Sequence, residues 1–399
     1  MTIKSYLTNS YKKIFESRVI GQETVEGRVA IALEETCFYP PSGGQPADKG
    51  TINDKPVIDV YEKDGAIYHV LEAEKFDEDC ARGRIDWERR FDHIQQHSGQ
   101  HLLSAVLFKR HNIQTLSFHL GADYSAIDLS LKKMTTDMIE KVESECQRII
   151  LENRPMRVHI VNRDELHRFS LRKPPPEGLK EIRIIEIQDY DFSPCGGTHA
   201  KGTTEIGLIK IIGLEKIRKN IRVKFLCGNR ANQDYAAKHR VLVDLSDRMT
   251  CSWQELPAIQ EKVRAERKNF RRRIAELHKE LARYEAKTMI DQAEEINGVR
   301  VISQILPNRE MNELALLCKE IVSNPSVIAL LAVVSDRVSL VFGRSENAPG
   351  QMGKLMKEAC QKLGGRGGGR PGMAQGVGTR IDLAQAELRR IHQKVAKEL

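Results

Sequence analysis

The stretch Asp92–Leu103, which reads Asp-His-Ile-Gln-Gln-His-Ser-Gly-Gln-His-Leu-Leu, combines two histidines with helical spacing. His97 and His101 stand four residues apart, so on a helix their side chains share one face. The apolar residues that can form a buried stripe along the same helix are Ile94, Leu102, Val106 and Leu107. The stretch therefore predicts a helix that presents two imidazoles to one metal ion.

A second pair of metal-type side chains lies in Cys195–His199, which reads Cys-Gly-Gly-Thr-His. Consecutive glycines favour a tight loop that brings Cys195 and His199 to one point. Either pair alone is a weak signal, because such pairs are common without a metal. Together they offer the mixture of nitrogen and sulfur that suits zinc. We therefore predict one Zn²⁺ per chain, held by His97, His101, Cys195 and His199.

Four segments of the chain resemble a known family, and they occur in that family's order. The residues around both ligand pairs resemble the two zinc motifs of the editing domain of alanyl-tRNA synthetase and of its free-standing relatives, the AlaX family. Phe38–Gly50 resembles the Gly-Gly-Gln segment that precedes this domain, and Gly364–Gln375 resembles the glycine-rich signature of the synthetase's C-terminal domain. The resemblance implies the long type of free-standing alanyl-tRNA editing protein.

The activity implied by this resemblance is hydrolysis of mischarged tRNA(Ala) in trans. Synthetases carry an aminoacylation domain ahead of these segments, and the chain reaches Gly43 too early to hold one. We expect removal of serine, and secondly glycine, from tRNA(Ala). Zinc would activate a water or polarise the ester carbonyl. Four protein ligands leave open whether one ligand leaves, the coordination shell expands, or zinc only organises the pocket. Nucleotide and ATP binding are further expectations carried over from the synthetases.

Polar side chains close to the metal helix are the candidates for contact with the substrate. Ser98 neighbours the first ligand. The segment Thr115–Gly121 departs from the glutamine-containing segment of the synthetases, which gives Ser117 or His119 the polar role. The predicted catalytic residues are Ser98, Ser117 and His119. The Gly-Gly-Gln loop is expected to lie over the pocket, and the predicted substrate and tRNA contacts are Gly43, Gly44, Gln45, Arg366 and Arg370.

Periodicity and turn residues predict an α+β multidomain protein with four parts. Residues 1–88 read as short strands, which fits the N-terminal β-barrel of the family, and residues 89–245 mix helices and strands in an α+β zinc-dependent editing domain. Residues 246–295 carry apolar residues every seven positions, as in a coiled-coil-like linker. Residues 296–399 read as an α/β domain for tRNA binding and homodimer formation. Within it, Gly364–Gly378 is expected to approach RNA closely through its backbone amides, with a flexible linker as the alternative, and it lacks a P-loop ending.

Composition limits the partners and the compartment. The 63 Lys and Arg against 55 Asp and Glu give a net charge of +8, which suits a polyanion such as tRNA. Eight scattered cysteines indicate reduced thiols, and no apolar run is long enough for a membrane, so we expect a cytosolic protein.

Two alternative functions stay open from the sequence. One is a deacylase for another charged tRNA, such as seryl-tRNA(Thr), because threonyl-tRNA synthetase editing domains share the ligand pattern. The other is a non-catalytic tRNA-binding protein with a structural zinc.

Overall fold

Two units, Met1–Arg248 and Met249–Leu399, make up the chain, and the computed structural model describes every residue from 1 to 399. The first unit begins with eight strands: β1 (Ile3–Lys4), β2 (Ile14–Val25), β3 (Arg28–Leu33), β4 (Glu35–Thr36), β5 (Gly50–Ile52), β6 (Lys55–Lys63), β7 (Ala66–Leu71) and β8 (Cys80–Ile85). Six of them hydrogen-bond in the closed order β2-β3-β7-β6-β5-β8. Asp64 and Gly65 both have positive φ, which is the conformation that a tight hairpin turn requires between β6 and β7.

The rest of the first unit mixes helices with two antiparallel sheets. Its elements are α1 (Trp87–His111), β9 (Thr115–Leu120), β10 (Ser125–Leu129), α2 (Thr136–Leu151), β11 (Met156–Asn162), β12 (Glu181–Ile187), β13 (Asp191–Pro194), β14 (Ile209–Ile217), β15 (Asn220–Cys227) and α3 (Gly228–Met249). The sheets have the orders β14-β15-β10-β9 and β11-β12-β13. Helix α1 begins where the Asp86 side chain accepts a hydrogen bond from the Arg89 amide, and it ends at Asn112 in the left-handed conformation.

Helix α1 lies inside the first unit. All residues from His93 to Leu107 are buried, so the predicted apolar stripe is buried and so is the polar side of the helix. A helix that is buried all round packs against other elements on every side. Sheet β14-β15-β10-β9 and helix α2 contribute to the same core. The position of α1 therefore gives the side chains of His97 and His101 a fixed frame.

The second unit is built on a six-stranded sheet. Its elements are α4 (Leu256–Asp291), β16 (Glu294–Ile296), β17 (Val299–Ile305), α5 (Met311–Val322), β18 (Val327–Val334), β19 (Val338–Arg344), α6 (Met352–Lys362), β20 (Arg366–Gly369), β21 (Met373–Gly378) and α7 (Ala384–Glu398). The strand order is β16-β17-β18-β19-β21-β20. Alternate residues of β18 enter two cores, one with α6 and α7 and one with α5 and the end of α4, so this strand is covered on both faces.

The expected mixed α/β, multidomain class is confirmed, and two local expectations are corrected. Gly364–Gly378 is not the flexible linker that its composition also allowed, because most of it forms the antiparallel pair β20 and β21. The predicted linker is not a free spacer along its whole length, because Ala282, Ala286 and Ile290 of α4 are buried against α5. The finer division into four domains stays a prediction. None of the seven helices combines the length and the apolar character that crossing a bilayer would require.

Candidate metal centre and its cavity

Helix α1 and the loop after β13 bring the four predicted ligands together. The ligand atoms of His97, His101, Cys195 and His199 all lie within 4.8 Å of one another. The sulfur of Cys195 lies 3.4 Å from Nε2 of His97 and 3.3 Å from Nε2 of His199. Ligands at typical zinc–sulfur and zinc–nitrogen distances on a tetrahedron are separated by about 3.5 Å. The donor types and their spacing therefore fit a zinc ion.

Burial sets the protonation of the cluster. It lowers the pKa of both His101 and His199 well below the ordinary imidazole value, so these two rings are neutral. Burial alone would raise the pKa of the Cys195 thiol, but the adjacent imidazoles of His97 and His199 and their hydrogen bonds to the sulfur hold it well below its usual value. Neutral imidazoles and a thiolate are the forms in which these side chains bind metal ions.

The Gly-Gly-Gln loop supports the cluster from one side. Oε1 of Gln45 lies 2.8 Å from Nδ1 of His97 and accepts a 3.2 Å hydrogen bond from the Thr198 amide, while its Nε2 donates to the Thr198 hydroxyl at 2.9 Å. This contact places the His97 proton on Nδ1 and leaves Nε2 directed to Cys195. Gly197 fits the same space, because a Cβ there would collide with the His97 ring.

A cavity of about 520 Å³ opens beside the cluster. Three of the four ligands, His97, His101 and Cys195, line it. Gln100 and Thr115 also line it, and Gln100 Nε2 and Thr115 Oγ1 both donate to the hydroxyl of the buried Ser104, at 2.8 and 2.7 Å. Three cations, Arg172, Lys173 and Arg183, lie at the same cavity. The cluster thus borders a space that holds both hydroxyl-type and cationic groups.

Two family models and several known proteins match this chain. The family model of the second additional domain of threonyl and alanyl tRNA synthetases matches residues 182–222, and the DHHA1 domain matches residues 287–397. The alanyl-tRNA editing protein AlaX-L of Pyrococcus horikoshii is 32% identical over 394 residues, which cover 94% of each chain. The chain belongs to the alanyl-tRNA editing protein family.

Other relatives differ in how much of them is matched. The alanyl-tRNA editing protein Aarsd1-A of Xenopus laevis is 28% identical over 378 residues, with 94% of this chain and 90% of that protein covered. The alanine–tRNA ligase of Pyrococcus furiosus is 29% identical, with 97% of this chain but only 43% of the ligase covered. None of these similarities supports the ATP binding expected from the synthetase resemblance.

The three predicted catalytic residues, Ser98, Ser117 and His119, lie in three different environments. Ser98 is fully buried, and its hydroxyl accepts a 2.9 Å hydrogen bond from the Ala200 amide, so it holds the Cys195–His199 loop instead of facing the cavity. Ser117 lines the cavity and donates to Asp128 at 2.6 Å. His119 is exposed on β9 and is not among the residues that line the cavity.

Gly43, Gly44 and Gln45, which were predicted to contact substrate or tRNA, also lie in different environments. Gly43 lines the cavity. Gly44 has a φ of 85° and packs so closely on β9 that a Cβ would collide with the Phe118 carbonyl. Gln45 is 1% exposed and uses its amide within the protein, so its side chain positions His97 instead of contacting tRNA. Gln100, one helical turn after His97, and Thr115, the first residue of β9, also line the cavity, although the sequence did not indicate either as a site residue.

The predicted tRNA contacts of the second unit lie on the hairpin of β20 and β21. Arg366 and Arg370 are both exposed there. The glycines beside them allow close packing. A Cβ on Gly367 would lie 2.5 Å from the sulfur of Cys360 on α6. Close packing against α6 therefore explains these glycines without RNA. The role of the two arginines in binding tRNA stays a prediction.

Proposed function

We propose that this protein is a trans-editing hydrolase that deacylates mischarged tRNA(Ala), with Ser-tRNA(Ala) as its main substrate and Gly-tRNA(Ala) as its second. The observation that carries the proposal is the cluster of His97, His101, Cys195 and His199 at the wall of a cavity large enough for an aminoacyl ester. The membership of the chain in the alanyl-tRNA editing protein family supports the same reading.

The protein's own residues would prepare the site for a zinc ion. The four clustered side chains would hold Zn²⁺, which when bound supplies a Lewis acid for ester hydrolysis. Gln45 keeps the His97 proton on Nδ1, so that Nε2 is available to the metal. Ser98 fixes the backbone of the loop that carries the other two ligands. The buried ligands and their hydrogen bonds thereby form a site with little freedom to rearrange.

Selection of serine over alanine would come from hydroxyl recognition in the cavity. Gln100, Ser104 and Thr115 form one hydrogen-bonded chain at its wall, and Ser117 lies on the same strand as Thr115. A polar wall that hydrogen-bonds the substrate hydroxyl is left with unpaired groups when alanine enters. Glycine also leaves these groups unpaired, so Gly-tRNA(Ala) ranks behind Ser-tRNA(Ala). This wall favours a serine-clearing enzyme over a protein in which zinc is only structural.

Binding of the tRNA body would use cations of both units. Lys173 is exposed at the cavity and free of acidic partners, whereas Arg172 pairs with Asp191 at 3.1 Å. In the second unit, we propose that Arg366 and Arg370 contact the RNA backbone. Free thiols at all eight cysteines suit a cytosolic protein.

We also propose that the chain forms a homodimer through its C-terminal part. The supporting observation is an apolar stripe on α4 that stays exposed in the monomer. Val263, Phe270, Leu277 and Tyr284, spaced seven residues apart, have exposed fractions of 49%, 66%, 45% and 76%. Such a stripe is typical of a helix that pairs with another helix. Sedimentation of Phe270→Glu should show a monomer where the unaltered protein sediments as a dimer.

The deciding experiment is a deacylation panel with the zinc-loaded protein. Ser-tRNA(Ala) should be hydrolysed fastest, Gly-tRNA(Ala) more slowly and Ala-tRNA(Ala) least. Faster hydrolysis of seryl-tRNA(Thr) than of Ser-tRNA(Ala) would favour the alternative deacylase. Absence of hydrolysis on the whole panel, together with tight tRNA binding, would favour the non-catalytic protein with a structural zinc.

A further inference from the structure

A second cavity of about 770 Å³ lies on the first unit, beside the N-terminal ends of α1 and α3 and the turn between β9 and β10. None of the four metal ligands lines it. The residues that the argument below uses are Arg89, His93, Tyr124, Asn229, Arg230 and Gln233. Asn229 and Gln233 are exposed on α3, so their amides are free to contact a ligand.

His93 is the unusual residue of this cavity. Its side chain lines the cavity while the residue is only 2% exposed, and its Nδ1 has no hydrogen-bond partner. Buried polar groups in proteins are nearly always hydrogen-bonded, so an unpaired one calls for a partner. Burial, with Arg89 and Arg230 nearby, lowers the pKa of His93 to about 3. The imidazole is therefore neutral, with one donor and one acceptor nitrogen.

The charges around the cavity disfavour a bare phosphate. Arg230 is already paired with Asp92, with nitrogen–oxygen distances of 2.6 and 2.7 Å, and it donates a further bond to the Gly121 carbonyl. The carboxylates of Asp123 and Asp234 border the same space and would repel an anion. Arg89 is the one cation of this cavity without an acidic partner, and its Nε donates to the Ala47 carbonyl at 3.1 Å. The other groups are uncharged, namely a neutral imidazole, two amides and the Tyr124 ring. These groups match a flat heterocycle with hydrogen-bonding edges, such as a nucleobase.

The position of the cavity relative to the metal centre points to a particular nucleotide. His93 precedes His97 by four residues of α1, a rise of about 6 Å. The Gly-Gly-Gln loop separates the two spaces, since Gly43 lines the metal cavity and Pro46 lines the second one. A single strand whose last ribose carries the ester at the metal centre would reach the second cavity within a short length of chain.

We propose that the second cavity binds the base of the nucleotide that precedes the esterified 3′-terminal nucleotide of the substrate RNA. The base contacts the neutral His93 ring and the amides of Asn229 and Gln233, and it packs against Tyr124. This inference rests on the proposed deacylase function. It adds a specific base-binding site to the ester-binding cavity, and it assigns to α3 a role in holding the acceptor end.

The test compares KM on mischarged tRNA for two variants of the full chain. Asn229→Ala with Gln233→Ala removes both amides from the cavity, and it should raise KM about tenfold, the loss expected for two hydrogen bonds. Asn232→Ala is the matched control, because Asn232 is also an exposed amide of α3 but does not line the cavity. Its KM should equal that of the unaltered protein.

A second substrate isolates the base. Ser-tRNA(Ala) with an abasic residue before the 3′-terminal nucleotide should have a raised KM with the unaltered protein and with Asn232→Ala. The abasic substrate should raise the KM of the double variant much less, because that variant has already lost its contacts to the base. Equal KM for intact and abasic substrate, or a loss carried by kcat alone, would overturn the base site. Failure of the unaltered protein to deacylate intact mischarged tRNA would instead overturn the proposed function.

Discussion

Replacement of Gln45 by leucine should weaken zinc binding without removing any ligand. Leucine keeps the approximate size of the side chain but loses the oxygen that accepts from His97 Nδ1 and from the Thr198 amide. Each buried donor left unpaired costs about 1–3 kcal/mol, so the variant should lose about 3 kcal/mol of stability in total. Loss of the group that orients a metal-binding histidine lowers metal affinity about 10- to 100-fold.

Competition with a chromogenic chelator would measure the affinity, and urea denaturation of the metal-free protein would measure the stability. Gln45→Glu is the control, because its carboxylate still accepts from both His97 and the Thr198 amide. Zinc affinity of Gln45→Glu should stay much closer to that of the unaltered protein than the affinity of Gln45→Leu does. Equal zinc affinity of Gln45→Leu and the unaltered protein would show that the contact does not orient His97, and the argument would fail.

Three further predictions test the metal, the pH dependence and the packing. Cys195→Ala should lose stoichiometric zinc in metal analysis, and full occupancy in that variant would refute the ligand assignment. Burial lowers the pKa of His69 to about 4, below its unfolded value, so its contribution of about 3 kcal/mol is complete above about pH 6.5 and is lost as the pH falls toward 4. Urea denaturation across this pH range should therefore show a weaker pH dependence in His69→Gln, and an equal dependence would contradict the assignment. Gly376→Ala should destabilise the second unit by about 1–3 kcal/mol in urea, because the new Cβ would overlap the Cys360 sulfur, whereas Gly372→Ala, with open space around it, should not.

The cluster of His97, His101, Cys195 and His199 could be predicted from the sequence because its signal is local. The spacing of His97 and His101 and the glycines between Cys195 and His199 each describe one short segment. The support from Gln45 could not be derived in the same way, since it joins residues 52 positions apart. A glycine-rich loop signals a close approach of the backbone, but it does not say which side chain of the loop turns inward.

The glycines of β20 and β21 show the opposite case, in which composition did not reveal the local structure. Glycine-rich segments usually lack regular structure, because glycine loses the most conformational freedom on folding. Here Gly367 and Gly376 form strand residues whose missing side chains let α6 approach the sheet. The partner surface on α6 lies earlier in the chain, around Cys360, and no pattern within the segment itself reveals it.

The buried polar face of α1 links the fold to the chemistry. Gln96 donates to the Cys227 carbonyl at 2.8 Å and accepts from the Cys227 amide at 3.0 Å, and Gln95 donates to the Glu205 carbonyl at 2.9 Å. Ser98 accepts a hydrogen bond from the Ala200 amide, next to the loop that carries Cys195 and His199. Because a buried polar group without its partner is costly, each bond fixes the rotation and position of the helix. The helix that carries His97 and His101 is thus held by contacts to elements distant in sequence, so the fold itself sets the positions of these two side chains in the cluster.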